Sequence, residues 1–547
     1  MNNKIRITGS ILILIVIAIG AYFWATGSIS SAYAYRSLLK ENPPPPKASL
    51  GDPSTNRVVI VLIDGLRYDT SLKNDVMPFL AELRKHGSSA LMRSQAPSFS
   101  EPGYSTILTG AWPEINDGPA LNLDYEDIPT FTQDNLFSAV RQSGMKTAIS
   151  AYYWFEKLIP QSDVDFSYYT PGEDAAADND VVTAALPFLQ NSQNRLVLVH
   201  IDQVDYAGHH LGGVQSAGWD AAARTADNLL MLIVNEIDLE TDTVIVLSDH
   251  GHINAGGHGG QDAVVLVEPF VIAGMGTRTG VQTEINMVDV APTIAALLGV
   301  RLPASTQGQV RRDLVSLTPS VLEALPGLTE IQQVNLVTAY AAGLGKPITP
   351  GDLDFGDDVF QYQKVINSLR NSKLLGERIL RSIPAAVLLA VAIALLWRKR
   401  KDGVLGWVIS ALVCAVLFNF RYAILSQKTY SLSSVKGEME LILYTSVTAL
   451  SAFVIAYLVN ILINKVLNKK PVNAALNTFG LGYTTILILA IPVILSFVLN
   501  GVLITWTLPD YLTSYLSLLA LIQILVISAA TILFSGISAL LTVRNKE

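Results

Sequence analysis

Apolar positions divide this chain into three kinds of segment. Near the start, Lys4 and Arg6 precede an apolar run from about Ile7 to Trp24, long enough to cross a bilayer. From Arg57 to about Pro303 the apolar residues come instead in short bursts. Val58 to Ile63, Leu196 to Ile201, Val244 to Leu247 and Val264 to Val271 read as strands buried on both faces. Met77 to His86, Thr132 to Ser143 and Ala217 to Ile237 between them carry helical patterning. Strands alternating with helices predict an α/β fold, a parallel sheet with helices on both faces. Leu325 to Tyr340 and Val359 to Leu380 read as amphipathic helices. Five further apolar segments follow: Ile383 to Trp397, Gly403 to Leu425, Leu441 to Ile463, Thr485 to Trp506 and Tyr511 to Leu541. They predict an all-α membrane region, and six spans in all.

The expected organisation is a transmembrane anchor over residues 1–25, a linker over 26–56, a catalytic domain over 57–320, connecting amphipathic helices over 321–382 and a membrane domain of about five helices over 383–547. Pro43 to Pro46 makes part of the linker a stiff spacer. Ser31-Ala32-Tyr33-Ala34 has the small-residue spacing of a signal-peptidase site, so the first segment reads as an anchor or as a cleaved signal. Counted span by span, Lys4 and Arg6, Arg398 to Lys401, Lys465 with Lys469 and Lys470, and Arg544 with Lys546 fall on one side. Basic residues stay inside, which predicts an integral protein of the cell membrane with both termini cytoplasmic and the catalytic domain extracytoplasmic.

Composition agrees with a membrane protein and removes several functional classes. Over 547 residues, 50% hydrophobic and 15% charged with mean hydropathy +0.38 is too apolar for a wholly soluble chain. A net charge of -8 gives no nucleic-acid-binding surface. The single cysteine, Cys414, lies in an apolar run, which excludes a disulfide framework and a thiol nucleophile.

Candidate chemistry gathers where strands end, the place where α/β sheets hold their ligands. The first strand runs into Asp64-Gly65. The second leads to Asp202 and then to Asp205 and His209, four apart and able to share one helical face. The third leads to Asp249, His250 and His252, with His258 following in a glycine-rich loop. Six of the seven histidines fall between His200 and His258, and carboxylate with imidazole is the ligand set of zinc and similar divalent ions. The stretch Ala96 to Ser105, read as a loop, supplies hydroxyls at Ser98, Ser100, Tyr104 and Ser105. A serine beside a divalent cation loses its proton more readily, and two cations about 4 Å apart suit in-line phosphoryl displacement.

The order D-G, S-x-P-G-Y-x-x-x-L-T-G, D-x-x-G-H, S-D-H-G and H-G-G resembles the alkaline phosphatase superfamily. Within it the chain is similar to the type I phosphodiesterase/nucleotide pyrophosphatase branch and the related ethanolamine-phosphate transferases of glycolipid-anchor synthesis. The resemblance covers Val58 to about Leu302, including Asp289-Val290-Ala291-Pro292-Thr293 at a helix start. It implies two divalent metal ions, zinc, with Asp64, Asp249 and His250 holding one beside the nucleophile Ser100, and Asp205, His209 and His258 holding the other.

The chain departs from the phosphodiesterase pattern at Ser100-Glu101-Pro102-Gly103, where threonine followed by Phe-Pro-Asn is usual. The absent asparagine leaves an oxyanion-stabilising contact to Tyr104 or the Gly103 backbone. Pro-Gly-Tyr sits nearer the transferases' Pro-Gly-His, while Tyr104 stands where sulfatases need arginine. His200 is expected to be a core histidine and His252 to orient a ligand, and Glu101 to disfavour a dianionic monoester.

The implied activity is a membrane-anchored two-zinc enzyme that cleaves or transfers a phosphodiester group through a covalent Ser100 intermediate. The alternative within the class is a phosphoethanolamine-type transferase acting on a lipid or glycolipid acceptor, and the non-enzymatic alternative is an inactive membrane scaffold. The partners implied are a phosphodiester substrate, lipid headgroups among the candidates, and membrane lipids. Arg421, after Asn419 near the end of an apolar span, reads either as snorkelling to the interface or as holding a lipid phosphate.

Overall fold

The six apolar residues Val58–Ile63 form the strand their pattern predicts, and all six are buried. Alternate residues serve opposite faces, Val58, Ile60 and Leu62 entering one core and Val59, Val61 and Ile63 the other. In the computed structural model, which describes residues 3–353, 355, 360–398, 403–466 and 473–544, this strand is the centre of an eight-stranded sheet. The strands are β1 (Val58–Ile63), β2 (Ser88–Arg93), β3 (Lys146–Tyr152), β4 (Phe166–Thr170), β5 (Asn194–Ile201), β6 (Thr243–Leu247), β7 (Val267–Gly274) and β8 (Gln282–Asn286), in the order β4-β3-β5-β1-β6-β7-β2-β8. One core receives residues of the helices Ser100–Thr109, Leu136–Gln142 and Val290–Leu297, and the other receives Pro78–His86, Ala175–Gln190 and Ala217–Asn235. The expected α/β architecture with helices on both faces is therefore present.

The sheet is mixed rather than wholly parallel. β7 runs antiparallel to both β6 and β2, while every other pairing is parallel. A parallel neighbour needs a crossover over one face. The link from β6 to β7 instead turns back at the strand ends, carrying Asp249 to His258 as it goes. The fourth predicted strand also sits later than its apolar run, at Val267–Gly274, because Val265 belongs to the returning turn and accepts from Gly251 N at 3.0 Å.

The chain divides into two compact units, Tyr33–Ser372 with the sheet, and Met1–Ala32 with Lys373–Glu547. Among the described residues, six helices are long and apolar enough to cross a membrane. They are Asn3–Tyr33, Gln361–Arg398, Val404–Asn419 continued by a π-helical turn at Phe420–Leu425, Glu438–Val466, Ala474–Asn500 and Tyr511–Arg544. The connecting helix expected from Val359 and the span expected at Ile383 are one continuous helix, Gln361–Arg398; Val359 itself lies outside the described residues. The span expected at Thr485 to Trp506 begins earlier, where the Asn473 side chain caps Leu476 N at 3.1 Å, and ends at Gly501, whose φ of 87° is closed to most side chains. Of the basic residues used for sidedness, Lys399, Arg400, Lys401, Lys469, Lys470 and Lys546 lie outside the described residues.

Candidate active site

Three neighbouring parallel strands, β5, β1 and β6, end side by side, and each delivers a carboxylate. After β1, Asp64 N bonds to Ile201 O at 2.8 Å, and Gly65 turns with φ 67° and donates to Asp249 Oδ1 at 3.2 Å. After β5 the chain enters the helix Gln203–His210. Its first amides are accepted by the Asp178 carboxylate, Asp202 N at 2.8 Å and Gln203 N at 3.0 Å. That helix stacks Asp205 and His209 one turn apart, with His209 Nε2 3.5 Å from Asp205 Oδ2. β6 runs directly into Asp249 and His250.

Three histidines are pinned from behind by backbone carbonyls. Nδ1 of His250 lies 3.1 Å from Gly251 O, that of His252 3.1 Å from Gly65 O, and that of His258 3.1 Å from Ser98 O. A carbonyl only accepts, so Nδ1 carries the proton and Nε2 turns its lone pair inward. His250 Nε2 stands 3.2 Å from Ser100 Oγ, 3.4 Å from Asp64 Oδ1 and 3.4 Å from Asp249 Oδ2. His258 Nε2 stands 2.9 Å from His209 Nε2 and 3.4 Å from Asp205 Oδ1, and His252 Nε2 is 3.0 Å from the same oxygen.

This donor set fits divalent metal. Asp205, His209, His252 and His258 form one group, and Asp64, Asp205 and His250 another, with ligand atoms in each within 4.8 Å of one another. Asp64 Oδ1, Asp205 Oδ1, Asp249 Oδ2 and His252 Nε2 are buried without a hydrogen-bond partner, an arrangement that costs free energy unless a cation satisfies them. Burial pushes the Asp249 carboxyl well above the usual range, and the Asp64 and Asp205 charges add to this. Burial also raises Asp205, but His209, His258 and His252 outweigh it and hold that carboxyl well below its usual range. Burial, reinforced by His250, pushes the His258 imidazole well down, and burial lowers His250. Neutral imidazoles are the form that binds metal, and a divalent cation would favour the ionised Asp249.

Ser100 opens the helix Ser100–Thr109, not a loop. Pro102 falls within the first turn, where no intrahelical amide bond is lost, so Pro-Gly does not prevent the helix. Gly103 is required by packing: a Cβ there would lie 2.8 Å from Asp249 Cβ and 2.9 Å from Asp249 O. The helix dipole at this end favours an anion. Ser98, by contrast, donates to Gly260 O at 2.8 Å and accepts from Gly259 N at 3.0 Å, so it ties down the glycine-rich loop.

Asn122 is a site residue that the sequence did not disclose. Its Nδ2 lies 3.5 Å from Ser100 Oγ across a separation of 22 residues, and no local pattern marks the loop that carries it. It places a side-chain amide beside Ser100 Oγ, where Tyr104 or the Gly103 backbone was expected. Tyr104 instead donates to Asp64 Oδ2 and sits 3.0 Å from His200 Nε2, which in turn is 3.0 Å from Asp64. Tyr104 and His200 therefore orient Asp64. Glu101 does not face the cleft either. It is 0% exposed, accepts from Leu123 N at 2.9 Å, and its own amide donates to Asn122 Oδ1 at 3.0 Å. Burial pushes its carboxyl up to about 8 against the Leu123 hydrogen bond, so the expected repulsion of a monoester has no basis. His210 stacks on Tyr206, outside both metal groups.

The model of the type I phosphodiesterase/nucleotide pyrophosphatase family matches residues 58–117 and 125–343, together just over half of the chain. GPI ethanolamine phosphate transferase 2 of Eremothecium gossypii is 27% identical over 298 residues, 49% of this chain and 36% of that protein. The Saccharomyces cerevisiae protein of the same name is 25% identical over 335 residues, 53% of this chain and 39% of its own. The catalytic subunit of GPI ethanolamine phosphate transferase 3 of Mus musculus is 26% identical over 292 residues, covering 48% and 26%. The chain thus spans well under half the length of these curated relatives. Among solved structures, human ectonucleotide pyrophosphatase/phosphodiesterase 5 aligns at 15% identity and TM-score 0.38, over 47% of this chain and 99% of that one. The family match extends from the first residue of β1 through all the ligand-bearing strand ends. The chain belongs to the type I phosphodiesterase/nucleotide pyrophosphatase family.

Proposed function

We propose that this membrane protein transfers a phosphodiester-linked group of the phosphoethanolamine type, through a covalent Ser100 intermediate, to a hydroxyl of a lipid or glycolipid. The observation that carries the proposal is Ser100 Oγ, 3.2 Å from His250 Nε2 at a helix N-terminus, bordered by Asp64 and Asp249. The names of the relatives favour transfer over hydrolysis, which would end the same chemistry with water.

Asp64, Asp249 and His250 with Ser100 would hold one zinc, and Asp205, His209 and His258 the other. Zinc suits these nitrogen and oxygen donors. Two such cations, when bound, would lower the hydroxyl's pKa and offset charge on the phosphoryl group. Deprotonated Ser100 Oγ bonds phosphorus as the bond to the leaving oxygen breaks, and that oxygen takes a proton. The acceptor hydroxyl then gives up its proton and bonds phosphorus as the Oγ–P bond breaks. Asn122 Nδ2, beside Oγ, donates to a non-bridging phosphoryl oxygen in both steps. Lys4, Arg6, Arg398 and Lys465 support cytoplasmic termini and an extracytoplasmic site.

The test is made on full-length protein in detergent. Elemental analysis should find near two zinc per chain, and mass spectrometry a phosphoethanolamine adduct on Ser100. Ser100→Ala should lose at least about 10³-fold in rate while keeping zinc. An active Ser100→Ala beside a dead Ser98→Ala, or chelator-resistant activity with no zinc, would overturn the proposal.

A further inference from the structure

The two ligand trios leave His252 without a use, yet it is built into the cluster in the same way as His250 and His258. Its ring is 0% exposed, with Nδ1 held by Gly65 O at 3.1 Å. With the proton on Nδ1, the Nε2 lone pair faces Asp205 Oδ1 at 3.0 Å, and two acceptors stand opposite each other. A cation between the two atoms would be met by both lone pairs.

The spacing fits a shared cation. Zinc bonds of about 2.0–2.1 Å in tetrahedral array place the ligand atoms roughly 3.3 Å apart. Asp205 Oδ1 lies 3.0 Å from His252 Nε2 and 3.4 Å from His258 Nε2, and His258 Nε2 lies 2.9 Å from His209 Nε2, whose 3.5 Å contact with Asp205 is to the other oxygen, Oδ2. The first three scatter about that edge. Room for the ring is also specifically provided. A Cβ on Gly65 would lie 2.5 Å from His252 Cε1, and one on Gly208 would lie 2.5 Å from its Nε2.

We propose that His252 is itself a ligand, and that Asp205, His209, His252 and His258 form a closed four-donor metal site. This rests on the two-metal reading above. A tetrahedral ion with four protein ligands has no open position.

The test uses full-length protein in detergent, stripped of metal and titrated with Co²⁺. Wild type should bind two ions and show the intense visible absorption of four-coordinate cobalt. His252→Gln should lose the share of that absorption that arises at the Asp205 site, and the affinity of one ion should fall by more than about 100-fold, the ceiling for an orienting partner. His252→Cys should restore the stoichiometry and add a thiolate-to-cobalt charge-transfer band. Unchanged spectra with a smaller affinity loss in His252→Gln, or no thiolate band in His252→Cys, would overturn the proposal and leave the two-metal reading standing. A wild type that binds neither Co²⁺ nor zinc would bring down both.

Discussion

Gly208→Ala sets two physical effects against each other. Gly208 lies inside the helix Gln203–His210 in ordinary helical geometry, so propensity alone favours alanine by about 0.5–1 kcal/mol. The added Cβ, however, would meet His252 Nε2 at 2.5 Å, His252 Cδ2 at 2.6 Å and Trp219 Cζ3 at 3.1 Å. Carbon contacts settle near 3.5 Å, so the ring must retreat by about 1 Å. Its Nδ1 bond to Gly65 O and its edge-on contact with Trp219, at 5.2 Å between centroids, oppose that movement. Overpacking of this kind costs about 1–3 kcal/mol, for a net loss of roughly 0–2.5 kcal/mol. Function should suffer far more, since a displacement of about 1 Å at a catalytic site costs on the order of 10²-fold in rate. The assay is thermal unfolding, zinc content and kcat on an aryl phosphodiester. Gly327→Ala, in the helix Pro319–Gly343 with nothing within 4 Å of the new Cβ, is the control that should gain stability and keep activity. If Gly208→Ala behaved like the control, the space beside His252 would serve no purpose.

Glu101→Gln should change the pH dependence of stability. A folded carboxyl at about 8 keeps a proton that the unfolded chain releases near 4.5, so wild type loses stability as pH rises from about 4.5 to about 8. The Gln variant should gain on wild type across that window, and parallel unfolding curves from pH 5 to 9 would refute the assignment. Arg57→Ala should cost about 3–5 kcal/mol in denaturant unfolding, because Arg57 Nε meets Asp242 Oδ2 at 2.7 Å with both side chains 7% exposed and truncation strands the carboxylate; a loss under about 1 kcal/mol would be too small. Arg421 lies 5.7 Å from the Tyr444 ring centroid and pairs with no carboxylate among the described residues. Arg421→Ala should therefore slow turnover of a long-chain lipid substrate and spare a nitrophenyl phosphodiester, whereas equal effects on both would leave Arg421 an interfacial anchor.

What could be read of the fold in advance follows burial. β1, β5 and β6 are buried on both faces and stand out as apolar runs. β4, Phe-Ser-Tyr-Tyr-Thr, has no buried residue, and β8, Gln-Thr-Glu-Ile-Asn, buries only Ile285, so neither carries the alternation that marks a strand. β3 is almost wholly buried, but small residues fill it at Ala148, Ser150 and Ala151, which hydropathy does not register. The reversed direction of β7 was unreadable for a different reason. Direction is set by the path of the connection, and the glycine-rich loop after His250 gives no sign of whether it crosses a face or turns back at the strand ends.

The grouping of the candidate ligand residues was legible because they sit immediately after legible strands, in an order that the chain preserves. The contacts of Asn122, Tyr104 and His252 were not, because each joins a distant segment: 22 residues for Asn122 to Ser100, 40 for Tyr104 to Asp64 and 187 for His252 to Gly65. Even so, the sequence held an indirect record of the packing. The glycines of D-G, P-G and D-x-x-G-H look like turn residues, but only Gly65 among them has positive φ. Gly103 and Gly208 are helical, where glycine is disfavoured, and each is pressed against a site residue, Asp249 or His252. A glycine retained in a helix against its propensity, one position before a histidine as at Gly208-His209, marks a place where another side chain must approach the backbone. Gly65 and Gly208 border the same His252 ring from two chain segments, so their joint presence specifies a space for that ring.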